Sequence, residues 1–261
     1  MDIQIVDLFS LIDEIRYYEP NLVRIIFYMI FIPCYEDKEG KHKYIRALPK
    51  PGTNIINEKA FFKNKNLTWV MIDNKVKTIS KSAFQGCISL KKLYIPNSVE
   101  NIQEYAFSNV GLNTLIIPRS IKVIRERSFE NILNLKHLII PNTVIIIEEL
   151  AFHSCKSLTH LTIGDSVRVI KHCAFYSCQK LTHVRIGKSV KSIGTGAFRL
   201  CKNLSEVSIP HSVKNIGGNA FAFCSILEKA TIPIHLRKIV NETKIFPKYT
   251  NIRYTVLKLK R

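Results

Sequence analysis

"SVKSIGTGAFRLCKNLSEVSIPH", residues 189–211, is one copy of a pattern that runs along most of the chain. Its landmark is an aromatic preceded by a small residue, at Ala60-Phe61, Ala83-Phe84, Ala106-Phe107, Ser128-Phe129, Ala151-Phe152, Ala174-Phe175, Ala197-Phe198 and Ala220-Phe221. Successive phenylalanines lie 23, 23, 22, 23, 23, 23 and 23 residues apart. The flanking residues repeat as S-V-x-x-I-x-x-x-A-F-x-x-C-x-x-L-x-x-L-x-I-P-x. The single short interval is a one-residue deletion in "SNVGLNTLIIP", residues 108–118. Eight units in one frame make an internal repeat, and repeats are read before motifs.

Spacing within a unit predicts its shape. "LTHVRIG", residues 181–187, alternates apolar and polar residues and closes on glycine, which reads as a short strand. "GTGAFRLCKNL", residues 194–204, spaces Ala, Phe, Cys and Leu by about three, which predicts a short helix or 3₁₀ turn. "SVKSI" adds a second, shorter extended piece. No 23-residue unit covers its own apolar face, so neighbours must stack and share one continuous core. Stacked strands lie ~4.8 Å apart, so eight units form a solenoid on the order of 40 Å long.

The unit L-x-x-L-x-I-P-x-x-V-x-x-I-x-x-x-A-F-x-x-C resembles the BspA-type (treponemal-type) leucine-rich repeat over roughly residues 53–240. That resemblance implies a right-handed leucine-rich-repeat solenoid with a parallel β-sheet on the concave face. It also implies a recognition protein, since members are typically surface or adhesin-like proteins of bacteria, trichomonads and amoebae, with some in large DNA viruses.

The N-terminus, "MDIQIVDLFSLIDEI", has acidic residues where a secretory signal carries Lys or Arg before an apolar run. "LVRIIFYMIFIPCY", residues 22–35, is too short to span a bilayer and contains Arg24. The expectation is therefore a cytoplasmic or nuclear protein, with a surface adhesin as the alternative. Residues 1–50 read as an N-terminal cap or a small module, residues 51–240 as the repeats, and residues 241–261 as a C-terminal cap strand with a basic tail.

The net charge of +19 is a gradient. Residues 1–50 carry 7 basic and 8 acidic side chains, whereas residues 166–261 carry 18 and 3, a surplus of +15. No glycine-rich phosphate loop, nucleophile elbow, H-E-x-x-H or concentrated acid pair is present. The reading is a non-enzymatic binder without a cofactor or metal.

In a solenoid equivalent positions stack, so function is read down columns. Three after each phenylalanine stand Asn64, Cys87, Val110, Ile132, Cys155, Cys178, Cys201 and Cys224. Val and Ile in the same slot mark Cys as a small core hydrophobe, and one residue per coil builds no tetrahedral zinc site. Two before each phenylalanine the residues are Lys59, Ser82, Tyr105, Arg127, Leu150, Cys173, Gly196 and Asn219, a variety that reads as an exposed, unconstrained position. Cys173 is then a surface thiol without a role, since His172 beside it in sequence is not thereby beside it in space.

Two outward strand columns are expected on the concave sheet. One reads Trp69, Lys92, Thr114, His137, His160, His183, Glu206 and Lys229; the other reads Met71, Tyr94, Ile116, Ile139, Thr162, Arg185, Ser208 and Thr231. Trp69, Tyr94, Ile116, His137, His160, His183 and Arg185 are the candidate contacts for a protein partner, which is expected to bind through the concave sheet and the basic C-terminal side. Either they bind such a partner, or the N-terminal cap folds over the apolar strip. The three histidines lie in a straight row, which does not converge on a metal, so polar contacts or a partner are favoured. A third column, just after the "SV" valine, reads Lys77, Glu100, Lys122, Ile145, Arg168, Lys191, Lys214 and Arg237. Lys122, Arg168, Lys191, Lys214 and Arg237 are the candidates for nucleic acid or another polyanion, against a face that only keeps the solenoid soluble.

Overall fold

The computed structural model describes residues 43–47 and 53–256, the first group by its backbone. The readings made for residues 1–42, the N-terminal cap among them, and for the tail at residues 257–261 lie outside that range.

A regular coil has two strands and one wall of turns. The longer strands are β1 (Lys43–Ala47), β3 (Leu67–Ile72), β5 (Lys92–Tyr94), β8 (His137–Ile140), β10 (His160–Ile163), β12 (His183–Arg185), β14 (Glu206–Ser208), β16 (Lys229–Pro233) and β17 (Asn251–Thr255). The shorter ones are β2 (Ile55–Ile56), β4 (Thr78–Ile79), β6 (Asn101–Ile102), β7 (Val123–Ile124), β9 (Ile146–Ile147), β11 (Val169–Ile170), β13 (Ser192–Ile193) and β15 (Asn215–Ile216). All pairings are parallel and join equivalent positions: His137, His160 and His183 face one another, as do Glu206, Lys229 and Asn251. This is a parallel-strand solenoid, the stacked architecture that the 23-residue period predicts.

The core follows from the repeat. In the coil quoted above Val190, Ile193, Ala197, Phe198, Cys201, Leu204, Val207 and Ile209 are all buried. Phe61, Phe84, Phe107, Phe129, Phe152, Phe175, Phe198, Phe221 and Phe246 stack with centroids 4.8–5.7 Å apart and planes within 11°. Phe246 is a ninth ring, 25 residues after the eighth, and escaped the pattern because helix α1 (Arg237–Glu242) replaces a short strand in the last coil. Each core thiol faces the carbonyl of the phenylalanine one coil earlier. Cys87 donates to Phe61 at 3.0 Å and Cys224 to Phe198 at 3.3 Å, with Cys155, Cys178 and Cys201 at 3.5 Å from theirs.

The Ala-Phe wall departs from the short helix or 3₁₀ turn expected. Its local bonds are of the 3₁₀ type but occur only at alternate residues: Ala60, Phe62 and Asn64 donate to the carbonyls of Asn57, Lys59 and Phe61. The amides between them, on Lys59, Phe61 and Lys63, turn along the stack and donate to Lys81, Ala83 and Gln85 of the next coil. A helix would send every amide along its own axis and leave none for a neighbouring coil. Flipping alternate peptides requires a left-handed residue two before and two after each of the first eight phenylalanines. Of these sixteen positions only Gly86 and Gly196 are glycine; the fourteen others hold φ between 50° and 62°.

The deletion has a structural price. Residues 111–118 form no strand, and the sheets end on either side of them, at β5 and β8 and at β6 and β7. The coil closes by pressing Gly111 onto its neighbour, where a Cβ would lie 2.1 Å from the Ile88 carbonyl oxygen. The turn wall and the phenylalanine stack continue through this coil unbroken, with Phe107 and Phe129 at 5.7 Å. The long ladder has a second gap, between β12 and β14.

Candidate recognition faces

The long-strand face carries the proposed partner contacts. Trp69 and Tyr94 are half-buried, in neighbouring strands where Trp69 is level with Lys92 and Met71 with Tyr94. Exposure rises toward the middle of the face, where Ile116 is 36% and Ile139 60% exposed. Ile139 shares β8 with His137 and stands level with Thr162.

The histidines form a true stack. The rings of His137 and His160 lie 5.0 Å apart at 32°, and those of His160 and His183 lie 4.6 Å apart at 6°. The tautomers of His160 and His183 follow from two threonines. The Thr159 hydroxyl donates to the Lys136 carbonyl and the Thr182 hydroxyl to the Thr159 carbonyl. Each hydroxyl has one proton, so it can only accept from the imidazole Nδ1 beside it, His160 at 2.9 Å and His183 at 2.8 Å. A neutral imidazole at either position would then carry Nδ1–H and keep Nε2 as its acceptor. Rings stacked face to face cannot aim two nitrogens at one ion, and no group of three metal-ligating side chains exists among the described residues.

Arg185 is not a free cation. Its Nη2 binds both oxygens of Asp165 at 2.8 and 2.9 Å, and Nη1 donates to the Ile163 carbonyl. The Lys188 amide and the Arg185 guanidinium hold the Asp165 carboxyl below its ordinary pKa. On this face Arg185 is a positioned edge of the β10 corner.

The basic column is exposed at Lys122, Arg168, Lys191, Lys214 and Arg237. Arg168, Lys191 and Lys214 stack through the backbone: Lys191 donates to the Arg168 carbonyl at 2.7 Å and Lys214 to that of Lys191 at 2.8 Å. Lys122 stands apart, separated by Ile145. Arg237 opens helix α1, and its guanidinium lies 5.7 Å from the Tyr254 ring centroid.

Two arrangements were not foreseen. Cys173 does lie beside His172 in space, with Sγ 3.3 Å from Nε2, which corrects the expectation from sequence. Its column is not unconstrained either, since φ is 51° at Cys173 and positive at every member. Burial and then the Glu149 charge raise this thiol's pKa, against the Arg199 charge, so the pair is no activated nucleophile. On the same wall Ser154 Oγ lies 3.4 Å from His153 Nε2, and His153 Nδ1 3.0 Å from Glu130 Oε1. This is the order of a hydrolase triad, but the amides of His153, Ser154, Cys155 and Lys156 all donate to backbone carbonyls, which leaves none of them for an oxyanion. Of these contacts only His153–Glu130 joins adjacent coils, 23 residues apart; the other two join sequence neighbours that the left-handed turn brings side by side, and no motif signals them.

The BspA type leucine rich repeat region pattern matches residues 54–143 and 122–253, with six copies. The chain belongs to this family. Proteins with BspA-type repeats are repeat scaffolds, which suits the uniform coils seen here. Among solved structures, the leucine rich repeat protein of T. pallidum is 22% identical, with 81% of this chain and 87% of that one covered and a TM-score of 0.55. A leucine rich cell surface protein of Faecalibacterium prausnitzii is 25% identical over 76% of this chain, with a TM-score of 0.49. The chain spans 62% of that protein's structure. No curated protein sequence matches. Among the described residues no helix is long and apolar enough to cross a membrane.

Proposed function

We propose that this BspA-type solenoid is a non-enzymatic scaffold that binds a protein partner through its long-strand face. The observation that carries the reading is Ile139, 60% exposed in a paired strand, with Ile116 and the three stacked imidazoles around it. Apolar side chains on a preordered backbone bind with little ordering cost, and the Nε2 acceptors of His160 and His183 give direction to a partner's donors. Trp69 and Tyr94 extend the contact at the N-terminal side.

The test compares affinity purifications from the native host with wild type and Ile139→Asp. A partner retained by wild type and lost by I139D, while the melting temperature is unchanged, supports the reading. Identical partner sets overturn it. A reducing intracellular location fits the six unpaired thiols among the described residues. Antibody staining of intact, unpermeabilised cells would overturn that placement.

A further inference from the structure

We propose that the row Arg168, Lys191, Lys214 and Arg237 is a docking track for the phosphodiester backbone of a single nucleic-acid strand, held by charge and without base readout. The first three are set in register by their own backbone bonds, so the cations repeat at the coil spacing of ~4.8 Å. All four side chains are exposed, and none makes an ion pair among the described residues.

Charge compensation along this flank is lopsided. Toward the N-terminus the column balances itself, Lys77 meeting Glu100 at 2.7 Å, and Glu148 takes up Lys171 at 3.2 Å and Arg125 at 3.9 Å. Beyond Glu149 four acidic residues remain. Asp165 is held by Arg185, Glu206 sits on the long-strand face, Glu228 just precedes β16, and Glu242 lies 4.0 Å from Lys238. A face built only for solubility would gain more from mixed charge, because like charges one coil apart repel.

The row's shape selects the ligand. A duplex turns its phosphates away from a straight line within a few base pairs. Within a duplex each strand is held to a rise of about 3.4 Å, whereas a single strand is free of that constraint and lengthens to match the coil spacing. Among the described residues no Phe, Tyr or Trp ring makes a cation–π contact with Arg168, Lys191 or Lys214, and the His235 imidazole beside Lys214 is taken up by the Val213 carbonyl at 2.8 Å, which leaves the bases unread.

The experiment is fluorescence anisotropy of the full chain with a fluorescein-labelled 20-nucleotide single strand of mixed sequence, across a salt series. Each neutralised phosphate contributes about −0.7 to the slope of log K against log salt, so four contacts give about −3. The double variant K191E/K214E should lower affinity at least tenfold at low salt and roughly halve the slope, with K191Q/K214Q as the milder version should charge reversal impair folding. An off-row pair of equal charge change, K229E/K248E, should have a clearly smaller effect, and I139D none. Absence of binding at low salt, equal weakening by the on-row and off-row pairs, or preference for anionic vesicles or duplex over the single strand would each overturn the proposal. The I139D arm keeps this outcome separate from that of the long-strand face.

Discussion

The turn wall and the long-strand wall of the same coils behave in opposite ways. On the turn wall the residues two before phenylalanine range from Lys59 through Tyr105 and Leu150 to Asn219, yet every one has positive φ and donates to the next coil. On the strand wall the backbone itself gives way, at residues 111–118 and between β12 and β14, while three histidine side chains stack between those gaps. Variety of side chain is thus no measure of backbone freedom. The turn wall carries rigidity, and the proposed recognition falls on the strand wall.

The largest test of that division is Phe152→Ala, which removes a ring stacked on Phe129 and Phe175. It should cost about 3–5 kcal/mol in urea unfolding, whereas Ile139→Ala on the strand wall should stay within about 0.5 kcal/mol. Equal losses would break the comparison. Inserting one serine between Gly111 and Leu112 restores a 23-residue interval. Amide exchange at Thr114, Leu115, Ile116 and Ile117 should then slow at least tenfold, with the rest of the pattern unchanged.

The buried thiols give a pH signature to the turn wall. Burial raises Cys155 to about 12 and Cys87 to about 11, above the ordinary thiol value. A raised folded pKa means the stability they contribute is complete below about pH 8.5 and is lost as pH rises toward the folded values. Cys155→Val, the residue that the chain itself uses at Val110, should cost less than about 1.5 kcal/mol at pH 7, and the difference should shrink at pH 10. A difference that grew at pH 10 would contradict the assignment. On the strand wall the sign is reversed. Asp165 is held below its usual pKa, so Asp165→Asn should differ from wild type above about pH 4 and converge with it as pH falls lower. The smallest effect is a gain: Lys59→Gly, at an exposed position with φ 54°, should stabilise by on the order of 0.5–1 kcal/mol.

Much of this was legible in the residues. The 23-residue interval, the phenylalanines and the Cys/Val/Ile slot name a stacked solenoid and its core, and burial agrees from Phe84 to Phe221, with Phe61 of the first unit partly buried. The conformation of the turn wall was not legible, because glycine marks only Gly86 and Gly196 of the sixteen left-handed positions. A lysine or leucine there reads as free surface until its amide is seen bonded to the next coil. Nor did spacing reveal that Arg185 is held by Asp165, twenty residues earlier on the adjoining coil.

The sequence by itself determined which residues point inward, since each apolar column must meet its copy one interval away or leave the core open. Only the tertiary structure decided what the outward residues do. The same period that stacks His160 on His183 also sets Cys173 on the turn wall and leaves Lys191 on an uncompensated flank. Core positions answer to a repeat, while surface positions answer to whichever side chains neighbouring coils bring beside them.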